Sequence, residues 1–121
     1  MPWWWPGCLG HEDAVDGTDS LLSTDGTQIL DVRFPYEFNK ARLAGSKACP
    51  LLPALTSFEQ RVSALALSPE LPVVVVCQHA IRSKVAVKKL RQMGFSNVRE
   101  LRGGMAHWLG VEGVPISIDG N

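Results

Sequence analysis

Val73-Val74-Val75-Val76-Cys77-Gln78-His79-Ala80-Ile81-Arg82-Ser83 is the stretch whose reading decides the fold. Four β-branched residues in a row behind Pro72 leave no polar face, so they suit a strand covered on both sides, as in a parallel sheet. Such sheets bind ligands beyond the carboxyl ends of their strands, which is where Cys77 stands. From Ser83 to Met93 there is neither Pro nor Gly. Ser83 is a good N-cap, Gly94 supplies a stop, and Ala86, Leu90 and Met93 recur on one helical face. A loop over 77–82 is therefore predicted to curl over a helix N-terminus. The free N–H groups and dipole there, with the charge of Arg82, stabilise a thiolate or a bound oxyanion. Cys77 is thus a candidate low-pKa nucleophile, and the competing reading makes it a small hydrophobe that finishes a core strand.

Moving outward, 29–32 (Ile-Leu-Asp-Val) reads as a second buried strand, ended by Arg33-Phe34-Pro35, and Asp25-Gly26 before it is a turn signal. Tyr36-Glu37-Phe38 starts a short helix, and Cys49-Pro50-Leu51 reads as a short strand closed by Pro53. Thr56 with Glu59 matches a capping box, and Leu55, Phe58, Val62 and Leu65 repeat at helical spacing to about Leu67. A strand over 97–101, a turn at Gly103-Gly104 and a short helix over 105–109 complete the series. Strands alternating with helices predict an α/β domain with helices on both faces of a mainly parallel sheet. From about Leu9 to Ser23 the sequence is polar and weakly patterned, and 1–24 is set apart as an N-terminal segment. The domain is expected over 25–118, with 119–121 as a tail.

The chain has 121 residues, 45% of them hydrophobic, enough for one domain with its own core. Its 12 basic and 12 acidic residues cancel, so no overall field argues for nucleic acid or a membrane surface. Cys8, Cys49 and Cys77 are odd in number and lack CxxC spacing, so neither a disulfide framework nor a zinc site is supported, and a reducing, cytoplasmic compartment fits. Trp3-Trp4-Trp5 is too short and too broken by Pro2 and Pro6 to span a bilayer, and it lacks a secretory n-region; it reads as a tail. Lys84, Lys88, Lys89 and Arg91 make the helix after the loop basic, either as a solvated face or as an attraction for anionic partners. His11 and His107 have no partner at ligand spacing.

Taken in order, these residues resemble the single-domain rhodanese-like sulfurtransferases. The matching blocks are Leu30-Asp31-Val32-Arg33, Glu37-Phe38, Gly45 and Pro50-Leu51, then the valine strand running into Cys77 through Ser83. Gly94-Phe95, Val98, Leu101, Gly103-Gly104, Trp108 and Gly113-Val114-Pro115 follow. The resemblance implies a three-layer α/β/α domain around a mainly parallel sheet of about five strands. It also implies that the Cys77 thiolate takes the sulfane sulfur of a small anionic donor such as thiosulfate as a persulfide. Cyanide, a thiol or a sulfur-carrier acceptor then removes it. Gln78, His79, Ala80, Ile81, Arg82 and Ser83 would surround that sulfur, with Arg82 nearest the leaving sulfite. Arg33 would face the same mouth or pair with Asp31 to tie a strand end down, and His79 would shape the mouth without serving as a base. No cofactor or metal is expected, and the protein is expected to be a monomer or weak dimer.

Two departures from the family pattern stand out. Ala80 replaces a glycine, and a positive φ there would cost alanine about 1 kcal/mol. Ala41-Arg42 and Gly45-Ser46 stand where the family has Gly-His and Gly-Ala. Two other readings compete: a catalytically weak or inactive rhodanese-like module used for binding or regulation, and a phosphatase or arsenate reductase on the same fold. The latter resemble Cys-x5-Arg, whereas Arg82 is the fifth residue after Cys77, which makes the cradle one residue shorter.

Overall fold

The computed structural model describes residues 13–52 and 55–118. The Trp-rich segment 1–7, Cys8, His11, Pro53 and the tail 119–121, all given readings above, lie outside these residues. In chain order the elements are β1 (Ala14–Val15), a 3-10 turn (Ser20–Ser23), β2 (Gln28–Asp31), α1 (Pro35–Lys40), β3 (Arg42–Leu43) and β4 (Lys47–Ala48). They continue with α2 (Phe58–Ala64), β5 (Val73–Val76), α3 (Arg82–Gln92), β6 (Val98–Leu101), α4 (Met105–Trp108) and β7 (Ile116–Ser117).

A five-stranded sheet in the order β1-β6-β5-β2-β4 forms the centre, and each of its four strand pairings is parallel. The valine run, β5, lies in the middle and is covered on both faces. Val73, Val75 and Cys77 pack with Leu30, Val32, Phe58 and Val62 of α2 and with Ala86, Val87 and Leu90 of α3. Val74 and Val76 point the other way, to Val15, Leu22, Ile29, Leu43, Leu101 and Met105. All four valines are 0% exposed, and each burial stabilises the fold by roughly 1.5–3 kcal/mol. A small antiparallel pair, β3 with β7, flanks the second face. The expected architecture, a mainly parallel sheet of about five strands between helical layers, is the one observed.

Local boundaries differ for identifiable reasons. The helix expected to start at an N-cap Ser83 begins two residues earlier, with Ile81 at the cap position and no side-chain cap. Ser83 is buried, and its hydroxyl is drawn inward to Glu100 instead of back onto the first turn. The capping box belongs to Ser57 and Gln60, not Thr56 and Glu59: the Ser57 Oγ accepts the Gln60 N–H at 3.0 Å and the Gln60 Oε1 accepts the Ser57 N–H at 2.9 Å. That helix ends at Ala64 rather than near Leu67, and Ala66 beyond it has a left-handed φ of 54°. The strand expected at Cys49 to Leu51 lies at Lys47–Ala48, although Cys49 and Leu51 still donate to the Asp31 and Val32 carbonyls. Finally, the polar stretch before residue 25 supplies β1, where Ala14 aligns with Glu100 and Val15 with Leu101 at the sheet edge.

Candidate functional site

Cys77 is the first residue beyond β5 and is 1% exposed. The chain then turns through Gln78, His79, Ala80 and Ile81 before α3 starts at Arg82. The loop is tied down from behind by α4. The Met105 and Ala106 amides donate to the Cys77 and Gln78 carbonyls at 2.8 and 2.9 Å. Gly104, with φ 76°, makes this approach possible, because a Cβ there would meet the Gln78 carbonyl oxygen at 2.5 Å and the Ala80 nitrogen at 2.8 Å. Gly104→Ala is therefore expected to push the loop off its seat and to destabilise the domain by about 1–3 kcal/mol, measured by urea denaturation. An unchanged midpoint would show that the loop yields without strain.

The electrostatics of the Cys77 thiol are set by a contest. Burial is the largest influence and opposes ionisation, but the backbone amides of His79, Ser83 and Arg82 donate toward the sulfur and the Arg82 guanidinium adds its charge. The net result is a pKa below the ordinary thiol value. Cys49, also free and buried, behaves oppositely: burial pushes its pKa up, only partly offset by Arg61. The two described cysteines thus have opposite characters, and only Cys77 has amides converging on its sulfur.

The other residues predicted for the site divide between mouth and foundation. His79 is exposed and Ile81 is 73% exposed, so both flank the opening. Ala80 has a φ of 58°, the left-handed conformation that the missing glycine would adopt freely and that costs alanine about 1–2 kcal/mol. Arg82 lies with its guanidinium 4.6 Å from the Phe34 ring centroid, and its Nη2 donates to Glu37 Oε1 at 3.2 Å. Its Nη1 is buried and has no hydrogen-bond partner.

Arg33 is buried, and the Gln78 side chain reaches back from the loop to it. Arg33 is 2% exposed and grips Asp31 through Nε and Nη2, with contacts of 2.8 to 3.1 Å. Its Nη1 donates to Gln78 Oε1 at 3.1 Å and its Nη2 to the Ala41 carbonyl at 2.6 Å. The pairing reading of Asp31 and Arg33 is the one the contacts match. Gln78 carries that anchor into the loop. The basic stripe on α3 is largely paired, Lys84 with Glu100, Lys89 with Glu59 and Arg91 with Asp13.

Three contributors had no functional reading in the sequence: Glu37 and Phe34, which hold Arg82, and Glu100. Gly104 reads in the sequence as a turn, and its role beneath the loop depends on a contact that no local pattern reveals. Among the described residues no group of His, Cys, Asp and Glu could hold a metal ion, and no helix is long and apolar enough to cross a membrane.

A buried cysteine at the end of a parallel strand, cradled by amides at a helix start, defines the class, and comparison with known proteins agrees. The family model described as the rhodanese-like domain matches residues 15–110, so the chain belongs to the rhodanese-like domain family. It is 31% identical over 105 residues to the adenylyltransferase and sulfurtransferase UBA4 of Meyerozyma guilliermondii, covering 83% of this chain but only 24% of that protein. It is also 31% identical over 90 residues to the thiosulfate sulfurtransferase GlpE of Pseudomonas aeruginosa, covering 74% of this chain and 76% of that one. Among solved structures, a rhodanese-related protein from Thermoplasma volcanium superposes with a TM-score of 0.68 at 28% identity, covering 88% of this chain and 98% of that one.

Proposed function

We propose that this rhodanese-like domain is a sulfurtransferase that carries a sulfane sulfur as a persulfide on Cys77. The observation that carries the reading is the place of Cys77 between the end of β5 and the start of α3, where the amides of His79, Ser83 and Arg82 and the Arg82 charge favour its thiolate against burial. The Cys77 thiolate attacks the outer sulfur of thiosulfate, the sulfur–sulfur bond breaks, and sulfite leaves with the bonding electron pair. The outer persulfide sulfur extends about 2 Å beyond Sγ, toward the mouth, so a buried cysteine can still present it to an acceptor. Cyanide or a thiolate then attacks that outer sulfur, and departure of the Cys77 thiolate restores the starting state. Free thiols at Cys49 and Cys77 fit a reducing compartment such as the cytoplasm.

Arg82 binds the dianionic donor and balances charge on the departing sulfite, since its buried Nη1 is not committed to a protein acceptor. Arg82→Met is expected to lower kcat/KM for thiosulfate by about 10- to 100-fold, the worth of a hydrogen bond to a charged group. Near-parental kcat/KM would remove Arg82 from the mechanism. The reading as a whole is tested by intact mass. After incubation with thiosulfate the protein gains one sulfur atom, peptide mapping locates it on Cys77, and cyanide removes it as thiocyanate. A protein that stays unmodified with thiosulfate and with an organic persulfide donor would instead be a binding or regulatory module.

A further inference from the structure

Behind the loop, on β6, Glu100 is 3% exposed and its side chain turns toward the start of α3. Its Oε1 accepts the Ser83 hydroxyl at 2.8 Å and the Lys84 ammonium at 3.2 Å, and its Oε2 accepts the same ammonium at 3.1 Å. Lys84 also donates to the Ala80 carbonyl at 2.7 Å. One carboxylate therefore holds two consecutive residues of the first helical turn, and through Lys84 it also holds the one loop residue with a left-handed backbone. Ser83 is one of the three residues whose amide donates toward the Cys77 sulfur. Only the carboxylate of this pair is buried, 5% exposed against 31% for the Lys84 side chain, and holding a carboxylate in the core costs desolvation that an apolar side chain of equal volume would not. What the pair supplies is fixed direction at Ala80 and Ser83.

We propose that Glu100 and Lys84 are positioning residues. They hold the Ala80 peptide and the Ser83 amide in the arrangement that stabilises the sulfur anion on Cys77, and so allow alanine to occupy a place that glycine would fill without restraint. The proposal rests on the reading of Cys77 as the reacting thiolate, but it makes its own claim about that thiolate. The other charged or titratable groups around the loop are Arg82 with Glu37, Arg33 with Asp31, His79 in the loop itself and His107 on α4.

The test is the pH dependence of iodoacetamide alkylation at Cys77 in the Cys8→Ser, Cys49→Ser protein, which needs no sulfur donor. Two effects of Glu100→Gln have opposite signs. Removing a nearby negative charge favours the thiolate, whereas loosening the cradle disfavours it. Positioning predicts that the thiolate fraction at pH 7 falls about tenfold, as when one hydrogen bond to an anion is weakened. A rise or no change overturns the proposal. Because glycine needs no clamp, the same substitution in the Ala80→Gly protein is expected to cost less than about twofold, and effects that simply add in the two backgrounds would also overturn it. If Glu100→Gln does not fold, Lys84→Gln goes through the same cycle, since its direct charge effect is equal in both backgrounds and cancels. A parent thiol with lowered pKa that takes no sulfur refutes the transfer reading alone. A Cys77 thiolate indifferent to Glu100 refutes the positioning alone.

Discussion

Serine in place of Cys77 is expected to abolish sulfur loading, and serine in place of Cys49 to leave it intact. The hydroxyl is not ionised near neutral pH and cannot form a persulfide, so no residual transfer is expected at position 77. The fold should survive, because serine is nearly isosteric and still offers an acceptor to the amides of His79, Arg82 and Ser83. Cys49 is no substitute: it is 2% exposed, and burial pushes its thiol away from ionisation. Intact mass after thiosulfate, with circular dichroism as a check on folding, decides the matter. Sulfur retained on the Cys77→Ser protein would move the chemistry elsewhere. In the parent protein, the rate of loading is expected to rise with pH with a midpoint below the ordinary thiol value of 9.0. The same shift links to stability. A lowered folded-state pKa contributes stability that is fully present above 9.0 and is lost as pH falls through the folded value. Cys77→Ser should remove that dependence.

Asp31→Asn is expected to destabilise the domain by about 3–5 kcal/mol, the cost of leaving a buried charge without its partner. The Asp31 carboxylate accepts from Nε and Nη2 of Arg33 and from the Arg33 backbone amide, and the two side chains are 0% and 2% exposed. Asparagine keeps one acceptor but turns an NH2 group toward the guanidinium, so donors face donors and the charge has only the Gln78 and Ala41 oxygens left. The urea midpoint should fall with little change in slope. A loss below about 1 kcal/mol would mean that water or a shifted loop takes over the guanidinium. Because Gln78 hangs from Arg33, the loop should loosen as well, and sulfur loading in the surviving folded fraction should slow.

The position of Cys77 at a strand end, ahead of a helix start, was legible because the pattern there is local. The valine run has no polar face, so it could only be a strand covered on both sides, and the residues after it had to form the turn that places Cys77 at a helix start. Arg82 was legible for the same reason, as it is five residues from the sulfur on the same turn. The suspicion about Ala80 followed from the glycine it replaces, and its positive φ agrees. By contrast, Ser83 looked like a cap because short-range preference favours it there. A buried acceptor 17 residues away in sequence, Glu100, outweighed that preference and pulled the hydroxyl inward.

Strand β1 and the tight seat of Gly104 were hidden for a related reason. Two apolar residues, Ala14 and Val15, carry no periodicity, and they become a strand only because β6 offers them a sheet edge. Gly104 matters because the backbone of Gln78 and Ala80 comes within 3 Å of where its Cβ would lie, a proximity that only the packed chain creates. The sequence by itself determined the α/β class, the buried central strand and the cysteine at its end, since these follow from side-chain shape and spacing over a few neighbouring residues. The tertiary structure alone decided which charges hold the loop. The partnerships of Arg33 with Gln78, Arg82 with Glu37, and Lys84 with Ala80 and Glu100 arise from whole elements packing together, and most join residues far apart in the chain.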